Sequence, residues 1–326
     1  MNNTLEFALR TFGNLLSPAG PNGLLSILIY HRVFREIDPL LPDVVDAARF
    51  ESQMEVLGSL FNILPLSEAV QRLKSGTLPA RAACITFDDG YADNAEVALP
   101  ILKRHKIPAT FFIATGYLNG GIMFNDKVIE VIRRLDWGGL DLSDMGLGVR
   151  SLSTLPQRKE TIKSLLSVLK YRPVEERRDF MDRIIDAAKL SLPTDLMMRT
   201  EQVKMLSDAG MEIGGHTVNH PIIAKLDMDS ARAEIDEGRI RLEEMTGKPV
   251  SLFAYPNGIP STDYRYEHAR MIEEMGFDAA VSTAKGVGRF GCDVFQLPRF
   301  TPWDIPLSRF SFRLTGNLLR TEILTA

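Results

Sequence analysis

Two adjacent carboxylates, Asp88 and Asp89, stand at the end of a short apolar run (Ala82, Ala83, Cys84, Ile85, Phe87) and directly before Gly90. An apolar run ending in a glycine turn is how a buried strand delivers acids to its tip. Side by side, two carboxylates repel. The conflict is relieved when one binds a metal ion and the other is left as a base. Further ligands for such an ion occur in Gly214-Gly215-His216-Thr217-Val218-Asn219-His220-Pro221, behind the strand-like run Met211 to Ile213. Imidazoles four residues apart often form a helical zinc pair, but here Gly-Gly precedes them and Pro221 biases His220 away from helical angles. The spacing predicts a loop at a strand end.

Asp89, His216 and His220 would give one hard oxygen and two borderline nitrogens, with coordination positions left for water and a substrate carbonyl. Zinc is the default for that set, and other divalent transition metals would fit it. Asp88 is then the natural general base, because an ion that acidifies water lets a carboxylate accept its proton near neutral pH. Either motif alone is ambiguous; a turn acid or a surface histidine pair is the plainer reading. Together, in a chain with five histidines, they are specific.

Thr86-Phe87-Asp88-Asp89-Gly90 followed by His216-Thr217-x-x-His220 resembles the polysaccharide deacetylases of carbohydrate esterase family 4, over a stretch from about Ser26 to the C-terminus. The resemblance implies an α/β fold, a distorted (β/α) barrel with about seven strands. It also implies removal of an N-acetyl group from an amino sugar, with one divalent metal ion as cofactor. In that family a main-chain N–H from an Arg-x-Pro-Tyr motif steadies the oxyanion. The corresponding Phe253-Ala254-Tyr255-Pro256-Asn257-Gly258 lacks the arginine and has Asn257 in the tyrosine's place. A main-chain donor survives that change, so Tyr255 and Asn257 are the candidate substrate and oxyanion residues. Arg299, in Leu297-Pro298-Arg299, either takes over holding Asp88 or makes a surface ion pair. Most of the family draws its general acid from a C-terminal Leu-x-Leu-His, whereas no histidine follows His268 here. The branch acting on poly-N-acetylglucosamine has a Tyr-His near its start, which Tyr30-His31 matches, so His31 is the candidate acid. His105 and His268 lie in charged helical surroundings and are assigned to solvent.

The 326 residues are read as one domain, with a core at about 24–115 and 201–300 and a helical insertion at about 116–200. That insertion is either a stabilising cap or a lid. Amphipathic terminal segments at about 4–16 and 308–324 either pack on the body or hold a membrane surface. In the core, helical patterns over Phe50 to Leu60, Ser67 to Lys74 (with Ser67 as cap) and Ala92 to His105 alternate with strand-like runs. The rhythm resumes with strands at Val250 to Ala254 and Asp278 to Ser282. With 38 basic and 42 acidic residues, a net charge of −4 and no basic block, nucleic acid is excluded as a partner. Cys84 and Cys292 are expected to be free thiols. No export signal or spanning segment is visible, so a cytoplasmic location is expected, peripheral at the inner membrane face if the terminal segments bind lipid. The substrate is then a lipid-linked or nucleotide-linked precursor of a surface polysaccharide. A hydrolase of another C–N bond, a formamide or a cyclic amide, and a catalytically silent carbohydrate-binding protein are the rival readings.

Overall fold

Strands buried on both faces read as nearly continuous apolar runs, and Leu24–Tyr30 and Ala82–Phe87, interrupted only by Ser26 and Thr86, are buried at every position. In this computed structural model, which describes residues 3–136, 138–143, 146–170, 172, 174–187 and 189–326, they pair in parallel, Tyr30 against Phe87. The strands in chain order are β1 (Leu24–Tyr30), β2 (Val33–Phe34), β3 (Val45–Asp46), β4 (Asn62–Ile63), β5 (Ala82–Phe87), β6 (Thr110–Ile113), β7 (Leu140–Leu142), β8 (Gly148–Arg150), β9 (Glu212–Gly215), β10 (Leu252–Ala254), β11 (Ala279–Val281) and β12 (Gly288–Arg289). The helices are α1 (Asn3–Leu16), α2 (Ala47–Leu60), α3 (Leu66–Ser75), α4 (Leu99–His105), α5 (Phe124–Arg134), α6 (Leu155–Leu169), α7 (Val174–Ala187), α8 (Thr200–Asp208), α9 (Met228–Thr246), α10 (Tyr266–Glu274) and α11 (Leu307–Asn317).

The main sheet runs β11-β10-β9-β6-β5-β1-β12, with β4 added on β5. Its two long sides are joined by residues 297–300, where Leu297 bridges Val281 and Phe300 bridges Leu28, both in parallel. Ser282 N–H donates to the Leu297 carbonyl at 2.8 Å and Phe300 N–H to the Ile27 carbonyl at 2.7 Å. This short segment acts as a further stave and curls the sheet into the expected distorted barrel. Pro298 has no N–H to give, which is why the pairing is confined to two bridges. Inside, Phe87 stacks on Phe111 at 4.7 Å and on Tyr30 at 5.4 Å, which locks the ends of β1, β5 and β6 together.

Several local expectations are corrected. Gly214 and Gly215 belong to β9 rather than to a loop. A Cβ at Gly214 would lie 2.4 Å from the Phe112 ring, so close packing, not flexibility, demands glycine there. The helix at Ser67 is not capped by its own serine. The Glu212 carboxylate on β9 accepts from Leu66 N–H at 2.8 Å and Ser67 N–H at 3.1 Å, and also from the Ser67 and Thr110 hydroxyls. Glu212→Ala should therefore lower stability by about 1–2 kcal/mol in urea titrations, the scale of losing a helix cap. The stretch after Ala92 contains a π-turn at Asn94–Ala98 before α4. His268 is buried, not solvent-facing: its Nδ1 accepts from Arg265 N–H at 3.0 Å and closes the start of α10. His105 is partly exposed and sits 3.1 Å from Glu51.

Residues 116–200 form α5, α6 and α7 around their own apolar cluster, including Val131, Leu165, Leu169 and Met181. They also form the antiparallel hairpin β7–β8, which the helical pattern did not predict. At the termini, Leu9, Phe310, Leu314 and Leu318 are buried, while Phe7, Leu15 and Phe312 face outward. Among the described residues no helix is long and apolar enough to cross a membrane.

Candidate active site

The C-terminal ends of the parallel strands converge, as barrel strands do at the mouth where loops can build a site. Asp88 and Asp89 follow β5, His216 follows β9, Asn257 lies beyond β10 and His31 follows β1. Four non-glycine residues here hold positive φ: Asp89 at 77°, Thr217 at 64°, His220 at 51° and Asn257 at 61°. Backbone in that region costs of order 1–3 kcal/mol per residue and persists only where surroundings impose it. The imposing contacts are visible. Ala114 N–H donates to the Asp89 carbonyl at 3.2 Å, Thr115 N–H to the Thr217 carbonyl at 3.2 Å, and His220 N–H to the Thr217 hydroxyl at 3.0 Å. Glu234 on α9 accepts from the N–H groups of Val218 and Asn219 at 3.0 and 2.8 Å, fixing the turn between the two histidines.

Asp89 Oδ1 lies 3.4 Å from Nε2 of His216 and 3.4 Å from Nε2 of His220. Ligand atoms of the three residues lie within 4.8 Å of one another. The Asp89 oxygen is buried without a hydrogen-bond partner, an orphan acceptor of the kind a cation satisfies. His216 Nδ1 donates to the Ala254 carbonyl at 2.7 Å, which fixes the tautomer and turns Nε2 toward Asp89. Burial pushes the His220 imidazole down to about 4, so it is neutral at neutral pH, as a ligand must be. Burial also opposes ionisation of Asp89, but the neighbouring imidazoles outweigh it and hold the carboxyl well below its usual range. These donors fit a divalent ion.

Asp88 is buried beneath this cluster and held by Arg299, whose two terminal nitrogens donate to its two oxygens at 2.7 Å each. Burial raises the Asp88 carboxyl, but Arg299 above all, with His216 and His31, outweighs it, so the net shift is downward. The remaining Arg299 donors are used too: Nε gives to the Ser282 carbonyl at 2.8 Å. Of the alternatives open for Arg299, the structure takes the buried one. It braces Asp88 and does not contact the cavity.

A cavity of about 950 Å³ opens over Asp89 and His220 and is also lined by His31 and Asn257. Tyr255 is corrected: its side chain is fully buried, stacked 3.9 Å from Tyr264, and its hydroxyl donates to the Phe295 carbonyl. It does not reach the cavity. Asn257 fits its position physically, since asparagine tolerates the left-handed backbone that this turn requires.

A family model described as polysaccharide deacetylase matches residues 75–279. The chain belongs to the polysaccharide deacetylase family. The poly-beta-1,6-N-acetyl-D-glucosamine N-deacetylase of Staphylococcus aureus is 44% identical over 75 residues, 23% of this chain and 26% of that relative. The aligned part thus spans about a quarter of the curated relative's length. The Streptococcus pyogenes deacetylase PplD, solved with acetate, superposes with a TM-score of 0.59 at 19% identity, covering 91% of this chain and 97% of that one. IcaB from Ammonifex degensii gives 0.56 at 19% identity, covering 93% and 98%. These likenesses bear out the α/β barrel. Asp88, Asp89, His216, His220 and Asn257 fall inside the stretch matched by the family model; His31 and Arg299 fall outside it.

The family pattern left other residues of this polysaccharide deacetylase family member unmarked. Arg32 pairs with Asp93 at 2.8 Å and with Asp126 at 3.5 Å, and the Tyr91 hydroxyl donates to Asp126 at 2.9 Å. Asn94, in the π-turn, donates to the His31 carbonyl at 2.8 Å and so anchors that residue's main chain. The adjacency of Arg32 to His31 and of Tyr91 to Asp89 was the available signal, but charge pairs sixty residues apart are not readable in one sequence. Burial raises the Asp126 carboxyl to about 6, from an ordinary value of 3.8, against the pull of Arg32. The folded protein therefore keeps a proton that the unfolded chain has lost, so stability falls as pH rises through that interval and levels off above it. Asp126→Asn should flatten that slope in thermal melts taken across the interval.

Proposed function

We propose that this chain is a metal-dependent N-deacetylase that hydrolyses the acetamide of an amino sugar to a free amine and acetate. The observation carrying the reading is the convergence of Asp89, His216 and His220 on one orphan-acceptor site, with Asp88 ionised beside it. The named activity of the staphylococcal relative supports the same reaction class. A bound divalent ion, zinc by ligand type, would supply Lewis acidity toward water and the acyl oxygen. Asp88 takes the proton of the attacking water at a carboxylate oxygen, and Arg299 keeps that carboxylate ionised and aimed. The Asn257 main-chain N–H, on a residue that lines the cavity, would donate to the developing oxyanion. His31, on the cavity rim, gives the leaving amine its proton.

The substrate we favour is a lipid-linked or nucleotide-linked amino sugar, a precursor of a surface polysaccharide, met in the cytoplasm at the inner membrane face. A formamide or cyclic-amide substrate would use the same groups, and comparing formate with acetate release separates these reactions. A silent sugar-binding protein has no use for a buried carboxylate oxygen that faces two imidazoles and takes no hydrogen bond. Purified protein stripped with a chelator should lose acetate release from N-acetylated sugars and regain it when zinc is returned. Undiminished turnover by protein shown to be metal-free would sink the proposal.

A further inference from the structure

Arg177, on α7, lines the same cavity as Asp89 and His220. Its guanidinium lies 4.8 Å from the centre of the Phe124 ring, and its Nε is buried without a hydrogen-bond partner. Among the described residues it makes no ion pair. Two other charged groups of the cavity are matched: Asp126 by Arg32 and Tyr91, and Arg172 by Glu176 at 3.6 Å. Lys170 and Lys225 also line it, and both act electrostatically on the buried Asp263. Asp43 is a further acid in the lining. Arg177 stands near the reaction site, because it acts on Tyr117, whose hydroxyl donates at 2.9 Å to the carbonyl of Asn219, the neighbour of His220. A guanidinium half-withdrawn from water that pairs with no acid among the described residues is a group waiting for an anion.

We propose that Arg177, with Lys170 and Lys225 in the same cavity, receives a phosphate group carried by the amino-sugar substrate. This inference rests on the reading that the cavity takes the acetamide sugar. Size agrees with it: 950 Å³ lies near the top of the range of about 300–1,000 Å³ for small-molecule sites and exceeds what one acetylated hexosamine fills. The rest of the lining includes Met123, Phe124, Ile129, Leu166, Ile222 and Leu226, which offer an apolar bed to a chain beyond the phosphate. A planar guanidinium matches phosphate oxygens in pairs, and stacking on Phe124 holds its plane.

The test is calorimetric titration of the full chain and its Arg177→Gln and Arg177→Lys variants with geranyl diphosphate, uridine diphosphate and neutral diacetylchitobiose. All three proteins retain Asp89, His216 and His220, so any coordination of a probe by an ion is common to them and cancels. The expected result is that geranyl diphosphate binds wild type tighter than the neutral disaccharide, and that Arg177→Gln weakens it about ten- to a hundredfold, with Arg177→Lys between. Stronger salt should narrow the difference. Uridine diphosphate binding more tightly than geranyl diphosphate, with the same dependence on Arg177, supports the phosphate site and assigns a nucleotide as the carrier. Equal affinity of wild type and Arg177→Gln for both diphosphates overturns the proposal, as does tightest binding of the neutral disaccharide. Loss of diphosphate binding in the variant together with no acetate release from any substrate would leave the phosphate site standing and reject the deacetylase reading instead.

Discussion

Asp88→Asn should lower acetate release about a hundred- to ten-thousandfold, the scale of removing a positioned general base. Asparagine keeps the side chain's shape and one acceptor for Arg299, but it leaves that buried guanidinium without its counter-charge, so a loss of stability should accompany the loss of turnover. The carboxylate that takes the water proton disappears, and with it the counter-charge of Arg299. Measuring turnover and bound metal on the same preparation separates this from a folding defect. Turnover within threefold of wild type at equal metal content would remove Asp88 from the chemistry.

The second large effect is on stability. Arg299→Met strands Asp88, which is 2% exposed, without its counter-charge. Leaving one member of a buried pair alone costs about 3–5 kcal/mol, far more than the pair itself contributes. Urea unfolding should show that loss. Adding Asp88→Asn to Arg299→Met should recover a substantial part of it, because both charges are then gone and no ion remains to be desolvated. Additive losses in the double variant would mean that the two groups act independently, against the bidentate contact at 2.7 Å.

Much of this was legible in the chain. The largely apolar runs at Leu24–Tyr30 and Ala82–Phe87 announced doubly covered parallel strands, and each ended where a candidate residue began. Such signals are local: a strand's burial and a turn's glycine are written in neighbouring residues. Where a local rule met a tertiary competitor, it failed. Ser67 is a good helix cap by type, but a full carboxylate arriving from β9 is the stronger acceptor and took the N–H groups. His268 sits among charged neighbours in sequence, yet its ring turns inward to cap a helix and is buried with it. Tyr255 borders the right turn, but the vacant stacking position beside Tyr264 drew it into the core.

By itself, then, the sequence determined the chemistry on offer: an acid pair, a histidine pair, and a turn whose asparagine accepts a left-handed backbone. Those depend on residue type and on spacing within a few positions. Only the tertiary structure decided that Arg299 holds Asp88, that 297–300 closes the barrel, and that Arg177 lines the cavity with no ion pair among the described residues. These are contacts between residues as far apart as Asp88 and Arg299, set by which strand lies beside which, and no property of either residue alone encodes them.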